Sequence, residues 1–114
     1  MEKLTPITLT TETGRKYILD FDRESVLFAE DSGFVIDDVD KYPMSSTYKF
    51  IYFALRKNHP ELSYEWTKDF VDKSFGGVMN VPSALMERLG QLYAATFTSL
   101  GDKNSKNAKV TVEM

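Results

Sequence analysis

The chain of 114 residues contains no cysteine. That excludes a disulfide framework and any thiolate-held metal, and it suits a reducing compartment such as the cytosol. Histidine occurs once, at His59, so the usual partners of a catalytic nucleophile are scarce. No stretch approaches the roughly 20 consecutive apolar residues needed to cross a bilayer, and the N-terminal MEKLTPITLTTETGRKY lacks the apolar centre of a secretory signal. Clustered positive charge is also missing. With a net charge of −3 and no Lys/Arg patch, nucleic acid and membrane surfaces are not expected partners.

What is present is ordinary globular composition, 42% hydrophobic and 27% charged, in a length that suits a single core. Pro6 to Glu12 (PITLTTE) and Arg15 to Phe21 (RKYILDF) are β-rich runs around Thr13-Gly14, which predicts a hairpin over residues 6–21. Asp22 is a candidate N-cap for a helix to about Asp31, with Gly33 beyond its end. Eight acids against two bases between Asp20 and Lys41 make this the acidic part of the chain. Pro43 closes a loop, Ser45 or Ser46 caps a helix running to about Asn58, and Ser63 caps another from Tyr64 to about Lys73. Gly76-Gly77 then breaks the chain before the longest helix, expected from near Pro82 to Gly101.

These elements predict a mainly α protein with a small N-terminal β-hairpin (α+β), a compact bundle of about four helices forming one domain over residues 1–101. A polar, flexible tail is expected over 102–114, whose closing Val110-Thr111-Val112 is suited to adding a short strand to the hairpin. In the last helix Val81, Leu85, Leu89, Leu92, Tyr93, Thr96 and Leu100 share one face, with Met86 and Phe97 on its edge.

The segment KFIYFALRKNHP (Lys49 to Pro60) is the most informative, with six apolar residues in a row from Phe50 to Leu55. On a helix, Tyr48, Ile51, Tyr52 and Leu55 form one apolar arc. Phe53 falls within the polar arc marked by Lys49, Arg56 and Lys57, and Phe50 lies at its rim. A helix apolar nearly all round is either central in its own bundle or covered by a partner. Under the second reading Phe53→Asp leaves the monomer folded and weakens association.

Chemistry finds little support. His59 in KNHP suits a helix end. Asp37, Asp38 and Asp40 offer oxygen ligands for Mg²⁺ or Ca²⁺, but the glycine and glutamate of an EF-hand loop do not follow them. Gly76-Gly77 lacks the lysine and hydroxyl residue of a phosphate-binding loop, and the last helix carries only Arg88 for a DNA groove. No cofactor and no catalytic or metal site is expected.

The order of Tyr17-Ile18-Leu19-Asp20, VLFAEDSGF (Val26 to Phe34), FIYFALRKNHPELS (Phe50 to Ser63), Gly76-Gly77 and the LxxxLxxLY run from Leu85 to Tyr93 resembles the small tail assembly chaperones of long-tailed bacteriophages and prophages of Gram-positive bacteria. The resemblance spans Ile7 to Leu100 and consists of aromatic and turn positions rather than a catalytic signature. It implies a non-enzymatic protein that binds the long, apolar, helical tape measure protein in the host cytoplasm and keeps it soluble during tail assembly. Further implications are self-association, contact with the tail tube protein, absence from the mature virion, and a longer product made by ribosomal frameshifting. Tyr48, Phe50, Tyr52, Phe53, Met86, Tyr93 and Phe97 are the candidate partner-binding residues. The alternative is a structural tail or neck subunit of the virion.

Overall fold

Alternation in PITLTTE and RKYILDF becomes an antiparallel pair, β1 (Ile7–Thr10) and β2 (Lys16–Leu19), with Ile7 opposite Leu19 and Leu9 opposite Tyr17. Gly14 takes a φ of 87°, which a side chain would disfavour, while the Thr11 N–H donates to the Arg15 carbonyl at 2.8 Å. In this computed structural model residues 4–107 are described, with side chains through Phe97.

Asp22 caps α1 (Arg23–Asp31) through a reciprocal pair: its carboxylate accepts from the Ser25 N–H at 2.8 Å, and the Ser25 hydroxyl accepts from the Asp22 N–H at 2.9 Å. The acidic stretch after Phe34 forms one helical turn, α2 (Asp38–Lys41), where the sequence suggested only loop. Helix α3 (Pro43–Arg56) starts earlier than a serine cap would place it. Pro43 occupies the first turn, where its fixed φ and missing N–H cost nothing, and the Ser46 N–H already bonds the Tyr42 carbonyl at 3.0 Å. Ser63 does cap α4 (Tyr64–Phe75), accepting from the Trp66 N–H at 3.0 Å, and Gly76 ends it in the left-handed region at φ 80°. A 3₁₀ turn (Val78–Asn80) leads into α5 (Ser83–Asn107). That helix passes through Gly101, so the boundary expected there is corrected. Val110 to Val112, suggested as a strand, lie outside the described residues.

The architecture is α+β: among the described residues, four longer helices and a helical turn lie beside one two-stranded sheet. Its centre is α3, on which Phe50, Ile51, Ala54 and Leu55 are at most 2% exposed. Phe50 stacks between Phe21 (5.4 Å between centroids) and Phe34 (5.5 Å), and Tyr93 of α5 meets Phe21 edge-on at 5.2 Å. The Leu9/Tyr17 face of the hairpin lies on α4: the Tyr17 ring contacts Trp66 and Phe70, each at 5.2 Å. Of the face expected on α5, Val81, Leu89, Leu92 and Tyr93 are buried and Leu85 is half-buried.

One edge of the hairpin is tied to the end of α3. The Asp20 N–H donates to the Ala54 carbonyl at 3.0 Å, the Lys57 ammonium pairs with the Asp20 carboxylate, and the Ile18 N–H donates to His59 Nε2 at 2.9 Å. An imidazole nitrogen accepts only when it carries no proton, so His59 is the tautomer protonated at Nδ1. The helix-end role expected of His59 is met by its own N–H, which bonds the Leu55 carbonyl at 2.8 Å. Its second bond crosses 41 positions of sequence and is invisible to local reading. Replacing His59 by Leu leaves the Ile18 N–H without an acceptor and should cost about 1–3 kcal/mol. Chemical denaturation checks this, with His59→Gln, which retains an acceptor, expected to lie between the two.

Candidate functional site

Because α3 is enclosed, the candidate partner-binding residues do not form one surface. Phe50 (2% exposed), Phe53 (5%) and Tyr93 (3%) belong to the core, which corrects their assignment to an exposed surface. The outward position of Phe53 on a helical wheel is covered by Phe28 of α1 and Phe34 of the following segment, with centroids at 5.9 and 5.5 Å. Tyr48 is half-buried on the α4 side and donates its hydroxyl to the Asp72 carboxylate. Met86 is half-buried against the core, while Phe97 is 55% exposed and touches Tyr93 at 5.8 Å.

Two of them do meet in a cleft. Tyr52 and Phe53 line a depression of about 220 Å³ with Phe34, Gly33, Ser32, Lys49 and Tyr64. Helix α3 supplies Tyr52 and Phe53 from successive positions, with rings 5.1 Å apart. The Ser63 cap fixes where α4 begins and so places Tyr64 edge-on to Tyr52 at 5.6 Å. Gly33, at φ 96°, carries the chain from α1 back to Phe34. Burial is the main influence raising the Tyr64 phenol above its ordinary range, with Glu65 adding to it and Lys68, 4.9 Å from the ring, opposing it. The cleft has aromatic walls and a Lys49 rim, a lining suited to an apolar side chain.

Two further depressions were not visible in the sequence. One of about 510 Å³ runs along β1, between Thr8–Thr13 and Phe70, Lys73, Ser74 and Phe75 at the end of α4. The other, about 300 Å³, lies where the Arg56 guanidinium covers the Phe28 ring at 3.9 Å. Phe34 and Tyr64 are cleft residues that sequence reasoning missed. A helix wheel of α3 contains no information about the loop and helix that face it.

Among the described residues no group of three acidic, histidine or cysteine side chains is placed to hold a metal ion, and Asp37, Asp38 and Asp40 form no such cluster. No described helix is long and apolar enough to cross a membrane. The chain belongs to a family described as a domain of unknown function, DUF5055, matched over residues 1–114. No curated protein and no solved structure matches it.

Core placement reverses the expectation for Phe53. Phe53→Asp buries an unpaired charge at a cost of several kcal/mol, on the order of the total stability of a small domain, so helical circular dichroism should be lost. The Tyr93 phenol gives a second check. Burial first, and then its hydrogen bond to Glu30 Oε2 at 3.0 Å, hold its proton far above the usual phenol range. A group whose folded pKa is raised contributes stability that is complete below the unfolded value, about 10, and is lost as pH rises toward the folded value. Ultraviolet titration should show Tyr93 ionising only together with unfolding. Tyr93→Phe should remove part of the delayed change.

Proposed function

We propose that the protein is a phage tail assembly chaperone that binds the tape measure protein and keeps it soluble during tail morphogenesis, without catalysis, in the cytoplasm of the infected or lysogenic host. The resemblance over Ile7 to Leu100 supports this reading, and the observation that carries it on the molecule is the cleft of Tyr52, Phe53, Tyr64 and Phe34. A long amphipathic client offers apolar side chains at helical spacing, and an aromatic depression with a polar rim receives one of them. Tyr52 and Tyr64 are the contacting walls, whereas Phe53 shapes the floor from the core.

One small cleft binds weakly. A client with many equivalent segments compensates, because several copies held along one chain act at high effective concentration. This reading gives self-association a purpose and leaves the tail tube protein as a later partner that displaces the chaperone.

The test is affinity capture of the tagged protein from cells in which the phage or prophage is induced, with mass spectrometry of the recovered proteins. One very long, helix-rich protein should dominate, and Tyr52→Lys should reduce its recovery at least tenfold while circular dichroism stays unchanged. Recovery of neck or tube subunits, or presence of the protein in purified particles, would assign it to the virion as a structural subunit.

A further inference from the structure

The two edges of the hairpin differ. In an antiparallel pair, alternate residues direct their N–H and C=O groups into the ladder and away from it. The Thr11 N–H bonds Arg15, so the inward set on β1 continues through Leu9 and Ile7, and the outward set is Thr8 and Thr10. On β2 the corresponding outward groups include Ile18 and Asp20, whose N–H groups are taken by His59 and Ala54. On β1, no described residue bonds the outward groups of Thr8 and Thr10. Within β1, ITLT also lacks the charge and the proline that commonly blunt an edge, leaving only its short length as protection.

Beneath this open edge lies the groove of about 510 Å³ whose far wall is Phe70, Lys73, Ser74 and Phe75. A strand added to β1 would place alternate side chains over that groove and the others toward solvent, beside Thr8 and Thr10. It therefore needs small apolar residues two apart with polar residues between them. Lys109-Val110-Thr111-Val112-Glu113 has this pattern.

Its own β1 is out of reach. Arg88 of α5 bonds Thr5, just before β1, at 3.4 Å, and Asn107 stands nineteen residues further along a helix that rises about 1.5 Å per residue, about 28 Å away. Only Ala108 and Lys109 separate Asn107 from Val110, a span of at most about 11 Å. The open part of β1 lies toward the end of α4, which leads by the 3₁₀ turn to the start of α5, so it is on the side away from Asn107.

We propose that Val110-Thr111-Val112 of one copy adds as a third strand to β1 of a second copy, with both valines over the Phe70/Phe75 groove. Donor and acceptor surfaces are different patches, so the contact is head-to-tail, and each added copy presents a fresh edge and a fresh tail. The assembly is a ring or a filament. This goes beyond the proposed function and does not require it: client capture tests one, and the mass of the isolated protein tests the other.

The test uses light scattering on the full chain and two variants. In the tail variant, Val110→Asp with Val112→Asp changes only residues outside the described fold. In the edge variant, Thr8→Pro removes an outward N–H that the hairpin ladder does not use. Should that variant fail to fold by circular dichroism, Ser74→Arg, at an exposed wall of the groove, replaces it. Wild type should show a mass that rises with concentration, and each variant alone should stay at the 13.0 kDa of a monomer. Mixed in equal amounts, the two variants should form a complex of twice that mass and grow no further, since one keeps its tail and the other its edge. A monomeric wild type at every concentration overturns the proposal, as does a mixture that stays monomeric. A tail variant that assembles like wild type also overturns it.

Discussion

Helix α3 carries apolar side chains around so much of its circumference that it cannot lie at a surface, and the placement of every other element follows from covering it. The hairpin and α4 close one side, α1 and the Phe34 segment another, and α5 brings Tyr93 against Phe50. Phe50 at the middle of this arrangement is stacked between Phe21 and Phe34. Apolar burial drives the enclosure, but hydrogen bonds set its register. Asp20 and Ile18 each give a backbone N–H to the end of α3, at Ala54 and His59, which holds β2 in one position along the helix.

That same attachment makes the molecule asymmetric in a way that bears on assembly. A two-stranded sheet has two edges, and the fold occupies one of them. The other is left beside the groove that ends at Phe70 and Phe75. Elsewhere on the surface, covering α3 leaves the shallow cleft between Tyr52 and Tyr64. The remaining exposed apolar residues, such as Leu27, Val35, Met44 and Met79, lie on separate elements. For a protein proposed to hold a very long client, a weak site repeated along a linear assembly serves better than one deep pocket, because avidity grows with the number of sites that engage together.

Local signals were legible where a single residue type has a single physical advantage. Asp22 and Ser63 cap helices because their side chains accept the first free N–H groups, and Gly76 ends α4 because it tolerates a positive φ. Pro43 was misjudged as a loop residue since proline both terminates helices and begins them, and only the neighbouring turn distinguishes the two. Gly101 did not end α5, because glycine weakens a helix without stopping it unless the chain turns left-handed there.

The fold class, the hairpin, the existence of the four longer helices and the core face of α5 up to Tyr93 are properties the sequence determines by itself, since each depends on periodicity or on residues a few positions apart. Only the tertiary structure decides that Phe53 is core rather than surface, that Tyr52 shares a cleft with Tyr64, and that His59 accepts a hydrogen bond from a strand 41 positions away. A helical wheel states which way a side chain points. What it meets there depends on the elements packed against it, and those are fixed by the summed burial of the whole chain.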